Sequence, residues 1–405
     1  MLDDFGQRIR DIILSEMDLS RELSDEEICD LIGSVVSREA RDRPMTIKDR
    51  AELERTIFNS LRKLDVLQEL VDDRDVTEIM VNGPNDIFYE KAGRIQRFKG
   101  HFSSEEKLED VIQQIVGRHN RVVNQASPIV DTRLSDGSRV NIVLNPISIG
   151  GSAVSIRKFP EHPMSMERLV EIEALSPEGA RLLQILTQAK YNIFISGGTG
   201  SGKTTFLNAL SQYIPDDERI ITIEDSAELQ LLGAKNIVRL ETRNANTDGV
   251  TPITIRDLIR TALRMRPDRI IVGECRGAEA LDMLQAMNTG HDGSLSTGHA
   301  NSPHDIISRI ETMVLQGQDF PLNAIRQQIA SGIDIIVQLG RLRDKSRRVL
   351  EISEVDGFMD GEIVLHTLYR FEETAVLDSG RIQGFLKKEG TLCHTDKLMA
   401  AGLSV

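Results

Sequence analysis

A glycine-rich segment between an apolar stretch and an amphipathic one constrains this chain more than any other feature. Residues 193–196 have the apolar character of a buried strand, and the run Gly197-Gly198-Thr199-Gly200-Ser201-Gly202-Lys203-Thr204 follows directly. Beyond it, Phe206, Leu207 and Leu210 recur at helical spacing. A strand, a G-x-x-x-x-G-K-T loop and a helix in this order are typical of loops that wrap a chain of phosphates. The sequence therefore predicts an α/β fold that binds a nucleotide at the end of this strand.

Each residue type in the loop suits the binding of a nucleotide and its metal ion. Glycines let the backbone come close to a pyrophosphate, and the N–H groups of the loop and of the helix N-terminus attract the anion. We expect Lys203 to reach the β- and γ-phosphates and Thr204 to bind Mg²⁺. ATP and Mg²⁺ are thus the predicted cofactors. The residues predicted to contact the nucleotide are Gly197, Gly198, Thr199, Gly200, Ser201, Gly202, Lys203, Thr204 and Thr205.

Two carboxylates that follow apolar strands are candidates for the chemistry. One strand runs into Gly273 and Glu274, where a metal-binding aspartate would be usual. Because the carboxyl ends of parallel strands border the ligand crevice, Glu274 is the candidate base or water-orienting residue. Glu224 ends another strand and is the candidate for the water shell of Mg²⁺. Simpler interpretations stay open: an exposed glutamate at position 274, and a helix cap at Asp225 or Ser226.

His299 is a candidate sensor of the γ-phosphate. It follows the Glu274 strand and its helix, in a segment that holds Gly290, Gly293 and Gly298. A residue that detects the terminal phosphate would be placed there. A lone histidine in a folded domain is more often structural, so that alternative also stays open.

Periodicity divides the chain into five parts. Residues 1–70 have helical spacing and predict a small bundle, with an exposed docking module as the alternative. Short strands and one helix alternate over residues 71–160, and a linker at 161–168 is marked by Pro160 and Pro163. Residues 169–372 alternate helices with apolar strands, which predicts a mostly parallel sheet with helices on both faces. Residues 373–405 are interpreted as a C-terminal tail.

Charge and cysteine content exclude several classes of protein. The chain has 63 acidic and 49 basic residues, a net charge of −14, which does not suit a protein that coats nucleic acid. Its three cysteines are far apart and predict no disulfide or zinc framework, as in a reducing cytosol. We expect no signal peptide and no membrane-spanning segment.

Further motifs resemble those of the secretion-superfamily ATPases of type II and type IV secretion and pilus systems. The resemblance is greatest to the CpaF-like motors of tight-adherence (Tad, or Flp) pili, and it covers roughly Leu64 to Phe371. The motifs that carry it, besides the loop, are Glu78–Gly83, Pro128–Leu134, Asp136–Val140, Ser155–Phe159, Leu263–Arg269 and Asp282–Asn301.

The resemblance implies a fold and a set of site residues. Its members join a small α/β (PAS-like) domain to a RecA-like P-loop ATPase domain, here preceded by the N-terminal helical segment. The family's Walker B strand ends in Gly-Glu, its Asp box matches Ile223–Glu228 and its His box matches Thr297–Ala300. For Arg157 an ordinary salt bridge is the alternative role. The catalytic residues carried over are Glu274, Glu224, His299, Arg157 and Arg139, and the metal-site residues are Thr204 and Glu224.

The resemblance also implies a function. It predicts a cytoplasmic homo-hexamer that hydrolyses MgATP to power pilus assembly or secretion, held at the inner membrane through a platform protein. Direct membrane insertion and nucleic-acid binding are not expected. Two alternatives are a nucleotide-binding scaffold without turnover and a RecA-like nucleic-acid translocase. The candidate channel residues of the translocase are Arg256, Arg260, Arg264, Arg266, Arg269, Arg341, Arg343, Lys345, Arg347 and Arg348.

Overall fold

The computed structural model separates into two compact units, Met1–Glu161 and His162–Val405. It describes residues 4–17, 21, 23–41, 43, 45–91, 93–118, 122–159, 164–231, 233–243 and 251–405. Pro160 and Pro163, which mark the predicted linker, lie outside the described residues. The end of that predicted linker is already helical, since a helix begins at Met166 with Ser165 as its N-cap.

The first unit begins with helices, as the N-terminal spacing predicts. They are α1 (Asp4–Glu16), α2 (Asp25–Glu39), α3 (Ile47–Arg62) and α4 (Gln68–Asp72), with a 3₁₀ turn at Asp65–Leu67. Ser24 and Glu27 form a capping box before α2, because each side chain accepts a hydrogen bond from the backbone N–H of the other residue. Ile9, Ile28 and Ile57 are buried together where the first three helices pack. The helical character of the N-terminal segment is therefore confirmed.

An antiparallel sheet and one helix form the rest of the first unit. The strands are β1 (Val76–Asn82), β2 (Ile87–Lys91), β3 (Arg94–Arg97), β4 (Ile129–Arg133), β5 (Arg139–Val143) and β6 (Ala153–Arg157). Within the described residues they pair in the order β3-β2-β1-β6-β5-β4. Helix α5 (Glu105–Gly117) buries Leu108 and Ile112 in the same core as Ile79 and Val154. Its N-cap is Ser104, whose side chain accepts a hydrogen bond from the N–H of Lys107.

One large sheet forms the centre of the second unit. Its strands are β7 (Ile193–Gly197), β8 (Arg219–Glu224), β9 (Asn236–Glu241), β10 (Arg269–Val272), β11 (Leu295–Gly298), β12 (Ile335–Arg341), β13 (Arg347–Met359), β14 (Glu362–Val376) and β15 (Ile382–Lys388). In the described part of the unit they pair in the order β15-β14-β13-β12-β7-β11-β10-β8-β9. The strands from β12 to β9 run parallel, and those from β12 to β15 run antiparallel. The mostly parallel sheet is therefore confirmed.

Helices cover both faces of this sheet. They are α6 (Met166–Glu171), α7 (Pro177–Gln188), α8 (Lys203–Ser211), α9 (Ile255–Ala262), α10 (Glu279–Asn288), α11 (Pro303–Gly317), α12 (Leu322–Gly332) and α13 (Asp396–Ala401). Successive residues of β7 enter opposite cores, since Ile193 and Ile195 pack with Phe206, whereas Phe194 packs with Ile310. The parallel strands then end at one edge, where Glu224 is the last residue of β8 and the loop before Lys203 follows β7. None of the described helices is both long and apolar enough to cross a membrane.

The segment interpreted as a C-terminal tail is folded into the second unit. Strand β14 extends to Val376, β15 pairs with it, and α13 follows. Leu386 and Leu398 are buried in the core that also holds Leu183 of α7. The apolar residues here are too few for a local pattern, and their burial depends on pairing with β14.

A buried ion pair fixes the start of β10. Arg269 is 0% exposed, and its guanidinium donates to both carboxylate oxygens of Glu218. Its Nη1 also donates to the carbonyl oxygens of Thr187 (2.8 Å) and Gly293 (3.2 Å). Buried charges are stable only when they are paired and hydrogen-bonded, and this one is. The cluster holds the edge of the sheet opposite the glycine-rich loop.

Candidate active site

The glycine-rich loop joins β7 to α8. Gly200 (φ +72°) and Gly202 (φ +95°) adopt the left-handed backbone region, which glycine enters without steric cost. A Cβ atom on Gly197 would lie 2.7 Å from the carbonyl oxygen of Leu339 on β12, so a side chain there would push the loop away from the sheet. Lys203 then opens the helix. The glycines therefore give the loop a backbone that a phosphate can approach closely.

Lys203 is held against the loop by backbone carbonyl groups. Its Nζ donates to the carbonyl oxygens of Gly197 (3.0 Å) and Gly198 (3.1 Å), and Nδ1 of His299 lies 3.2 Å away. The residue is 7% exposed, and burial lowers the pKa of the amine although Glu274 opposes the shift. The ammonium group is thus fixed beside the loop, where its charge can attract phosphate oxygens.

Glu224 and Gly273 lie side by side at the ends of β8 and β10. Glu224 is 4% exposed, and its Oε2 accepts hydrogen bonds from the backbone N–H groups of Glu228 (2.7 Å) and Leu229 (2.9 Å). A Cβ atom on Gly273 would lie 2.8 Å from Cγ of Glu224. The Glu224 side chain thus takes the space that a side chain at position 273 would need. This packing explains the glycine found where a metal-binding aspartate is usual.

The segment after Glu224 is a loop, not a helix. Residues 225–231 form no helical turn, so the interpretation of Asp225 or Ser226 as a helix cap is wrong. The carboxylate of Glu224 instead accepts hydrogen bonds from backbone N–H groups of this loop. The sequence shows only a strand end followed by an acidic cluster, and it does not predict these hydrogen bonds.

Glu274 is fixed by contacts on both sides of its backbone. Thr297 on β11 makes both contacts. Its hydroxyl donates to the carbonyl oxygen of Gly273 (2.7 Å), and the backbone carbonyl oxygen of Thr297 accepts from the N–H of Cys275 (2.8 Å). Oε2 of Glu274 accepts a hydrogen bond from Arg276 (2.7 Å). The Glu274 side chain is only 20% exposed, which does not fit an ordinary glutamate in solvent.

The surrounding charges keep the Glu274 carboxylate ionised. Burial raises its pKa, but the hydrogen bond and charge of Arg276, with the charge of Lys203, lower it by more, so the net shift is downward. The group therefore carries its negative charge at neutral pH and can accept a hydrogen bond from water.

His299 bridges Lys203 and Glu274. Its Nδ1 faces the lysine ammonium, and its Nε2 lies 2.7 Å from Oε1 of Glu274. Burial, and then the charge of Lys203, lower the pKa of His299, while Glu274 opposes the shift. In a neutral ring with its proton on Nε2, Nδ1 accepts from the ammonium group and the proton is on the nitrogen nearer to Glu274. The structure thus connects three of the predicted site residues, Lys203, His299 and Glu274, through consecutive side-chain contacts.

The donors around the loop fit a nucleotide with Mg²⁺. Thr204 is the half-buried second residue of α8, and Thr205 beside it is exposed. The described residues hold no group of three or more His, Cys, Asp or Glu side chains that could bind a metal ion by themselves. Mg²⁺ commonly takes one or two protein oxygens and completes its shell with water and substrate phosphates. The hydroxyl of Thr204 and the carboxylate of Glu224 are donors of that kind.

Arg139 and Arg157 belong to the first unit. They lie directly opposite each other on β5 and β6, so two positive charges share one face of the sheet. Nε of Arg157 lies 3.7 Å from Oε1 of Glu78, an exposed ion pair that contributes about 1 kcal/mol or less. The ordinary salt bridge considered for Arg157 is therefore present. A role for either arginine toward the nucleotide stays a prediction.

Two arginines that the motifs did not indicate contact the site. Arg276 binds Glu274 and also lies 3.6 Å from Asp225, so it links the ends of β10 and β8. Nε of Arg347, at the start of β13, donates to the carbonyl oxygen of Gly200 (2.8 Å). The short spacing of Arg276 from Glu274 was a usable signal. Arg347, considered for a nucleic-acid channel, had no signal because its contact depends on distant strand pairing.

Comparison with known proteins gives the family of the chain. The family model described as Type II/IV secretion system protein matches residues 60–382. A putative conjugal transfer protein of Mycobacterium tuberculosis is 33% identical over 322 residues, which cover 77% of this chain and 91% of the relative. The type IV secretion system protein PtlH homologue of Bordetella bronchiseptica is 33% identical over 321 residues, 73% of this chain and 94% of the relative.

A solved structure shows the same fold. The X-ray structure of the ATPase DotB of Legionella pneumophila superposes with a TM-score of 0.53 at 22% identity, over 73% of this chain and 80% of DotB. The central sheet with its loop between β7 and α8 is that of a RecA-like ATPase domain. The chain belongs to the type II/IV secretion system protein family.

Proposed function

We propose that the chain is the subunit of a homo-hexameric motor that hydrolyses ATP to power pilus assembly or secretion. The contact of Lys203 with His299, and of His299 with Glu274, carries the proposal, because it joins the phosphate loop to the candidate catalytic carboxylate. Relatives named for conjugal transfer and type IV secretion support a secretion setting. The proposed setting is a CpaF-like motor of a tight-adherence pilus. It would be cytoplasmic and attached to the inner membrane through a platform protein.

Each side chain of the site has a separate task in this proposal. The N–H groups of the loop and the Lys203 ammonium bind the phosphates, and Thr204 and Glu224 hold the metal ion and its waters. When bound, Mg²⁺ would neutralise the negative charge that develops on the phosphate oxygens. Ionised Glu274 accepts a hydrogen bond from the attacking water and orients it. Neutral His299 reports on the γ-phosphate to Glu274, and Arg157 and Arg139 remain proposed contacts to the nucleotide.

The alternative of a nucleic-acid translocase has less support. Binding a phosphate backbone requires exposed cations. Of the candidate channel residues, Arg269 and Arg348 are buried, and Arg256 and Arg260 both bind the buried carboxylate of Asp282 at 2.8 and 3.0 Å. The net charge of −14 adds to this argument. We expect ATP hydrolysis by the purified protein to be unchanged when DNA or RNA is added.

A Glu274→Gln variant tests the catalytic part of the proposal. The amide keeps the shape of the side chain but removes its negative charge, so the water loses its charged and basic acceptor. We expect at least a ~100-fold fall in kcat for phosphate release, since general-base and water-orienting groups contribute on that order. Nucleotide affinity, measured with a fluorescent ADP analogue, should change little.

Lys203→Ala separates a motor from a scaffold. A motor should release phosphate as the wild-type protein and lose that activity in the variant, together with its affinity for ADP. A wild-type protein that binds ADP but releases no phosphate would instead identify the scaffold. Undiminished turnover in Glu274→Gln would contradict the role of that residue.

Assembly and partner are tested separately. Light scattering on the full chain with ATP and Mg²⁺ should give six times the mass of 45.2 kDa. The polytopic platform protein encoded beside a prepilin gene should retain the chain on membranes, and membranes without it should not. A monomer under all nucleotide conditions would contradict the ring.

A further inference from the structure

Arg347 touches the phosphate loop from outside the loop motif. Its Nε donates to the carbonyl oxygen of Gly200 at 2.8 Å. A Cβ atom on Gly202 would lie 3.4 Å from Cδ of Arg347, so the aliphatic part of the arginine also packs on the loop. The residue is exposed, and the two glycines it contacts are the pair with positive φ angles. Arg347 thus holds the most conformationally free part of the loop.

The geometry of a peptide bond gives this contact a consequence. In a planar trans peptide the C=O of one residue and the N–H of the next point in opposite directions. Since the Gly200 carbonyl points at Arg347, the N–H of Ser201 points away from it. That N–H donates a hydrogen bond across the loop to the carbonyl oxygen of Gly198 (3.3 Å). Inward-facing N–H groups are what a loop of this kind offers to phosphate oxygens.

The element that carries Arg347 is itself well anchored. Between β12 and β13, Asp344 accepts hydrogen bonds from the backbone N–H (2.9 Å) and hydroxyl (2.6 Å) of Ser346. Its second oxygen accepts from the N–H of Ile382 at the start of β15 (2.8 Å). The strands beside the turn also pair regularly, with Arg341 opposite Arg347. The arginine therefore approaches the loop from a fixed position.

We propose that Arg347 is a positioning residue for nucleotide binding. Its Nε–H orients the Gly200–Ser201 peptide so that the Ser201 N–H already points into the loop before the phosphates arrive, and a phosphate oxygen then replaces the Gly198 carbonyl oxygen as its partner. The inference rests on the nucleotide loop of the proposed function. It assigns to the β12–β13 hairpin a part in binding that the loop motif alone does not contain.

Two substitutions of equal length isolate the hydrogen bond. In Arg347→Gln the side-chain nitrogen is the same number of bonds from the backbone as the arginine Nε, so the donor is kept and the charge is lost. In Arg347→Met the length is kept and the donor is lost. Arg341→Met, on the neighbouring strand, is the matched control. The probe is a fluorescent ADP analogue with Mg²⁺, followed by steady-state phosphate release.

We expect the affinity of Arg347→Met for the ADP analogue to fall about tenfold, as for other hydrogen bonds from charged groups. Its KM for ATP should rise by a similar factor. Its kcat should stay within about twofold of the wild-type value, because the loop binds ground state and transition state alike. Arg347→Gln should stay within about threefold of the wild type, and Arg341→Met should match it. Thermal unfolding midpoints without nucleotide should be the same in all four proteins.

Several outcomes would overturn the proposal. Equal losses in Arg347→Gln and Arg347→Met would show that charge, not the Nε–H donor, matters. An unchanged affinity in Arg347→Met, or a loss matched by a lower unfolding midpoint, would remove the positioning role. Failure of the wild-type protein to bind the ADP analogue would instead contradict the proposed function itself.

Discussion

Strand β10 has a charged cluster at each end, and the two clusters are built differently. At the amino end, Arg269 is 0% exposed and binds Glu218 and two backbone carbonyl groups. At the carboxyl end, Glu274 is 20% exposed and lies between Arg276, which is 60% exposed, and His299, which is 32% exposed. The first cluster is closed to solvent, and the second is open to it.

The difference separates stability from chemistry along one short strand. A buried charge cannot change partners without leaving a bare ion in the protein interior, so the amino-end cluster holds one arrangement. Groups at the open end can exchange a protein partner for water or a phosphate at small cost. We therefore expect substitutions at the amino end to change the free energy of unfolding and those at the carboxyl end to change turnover.

The largest expected effect is at the amino end. Arg269→Met leaves the carboxylate of Glu218, 7% exposed as a residue, with Lys190 at 3.6 Å as its remaining cation. Breaking a buried pair from one side typically lowers the free energy of unfolding by about 3–5 kcal/mol. Urea or thermal unfolding of the full chain measures the change.

The double variant Arg269→Met with Glu218→Leu is the control for this prediction. It removes both charges, so most of the lost stability should return. A loss below about 1 kcal/mol in the single variant would make the buried pair no stronger than a surface pair and would end the comparison.

The next expected effect is at the carboxyl end. Arg276→Ala should lower kcat about fivefold, since an exposed ion pair contributes on the order of 1 kcal/mol or less. Arg276 also lowers the pKa of Glu274, so its removal should move the acid limb of the kcat profile to higher pH. Phosphate release between pH 5.5 and 8.5 gives both quantities.

Arg168→Ala is a matched control for Arg276→Ala. Arg168 is equally exposed and forms an ion pair of the same length, 2.7 Å, with Glu171 on the surface of α6. Its removal should leave the pH profile unchanged. An acid limb that stays in place in Arg276→Ala would mean that the arginine does not tune Glu274.

The smallest expected effect is a pH dependence of stability from His299. Burial and Lys203 lower the pKa of the folded histidine, so it stays neutral at a pH where the unfolded histidine, with its ordinary value of 6.5, takes up a proton. The wild-type protein should therefore lose stability relative to His299→Asn as the pH falls through that value. Unfolding midpoints between pH 5.5 and 7.5 test the sign, and the opposite trend would contradict the shift.

Local patterns were sufficient for much of the fold. Asp136-Gly137 predicts a tight turn between two strands, and β4 and β5 pair around it with Gly137 at φ +90°. The segment at 373–405 was missed because Leu386 and Leu398 gain their partners only when β15 pairs with β14. Spacing along a sequence reports burial on one element, not pairing between distant ones.

The candidate site divides in the same way. The strand ends at Glu224 and Glu274 and the turn-rich segment at His299 could be selected from sequence, because parallel strands bring their carboxyl ends together. The contacts that join Lys203 to His299 and His299 to Glu274 could not be predicted from any spacing. The contact of Arg347 with the loop is even harder to predict, since Arg347 is 147 residues from Gly200 in the chain.

The packing of Glu224 against Gly273 has a consequence for inheritance. Because one side chain fills the space of two positions, mutation cannot explore them one at a time. An aspartate at position 273 would collide with Glu224, whereas a glycine at 224 would leave that edge of the sheet without its carboxylate. A carboxylate is kept here only if both positions change together, with a small residue at 224 and an acidic residue at 273. The two codons are therefore a single unit of variation.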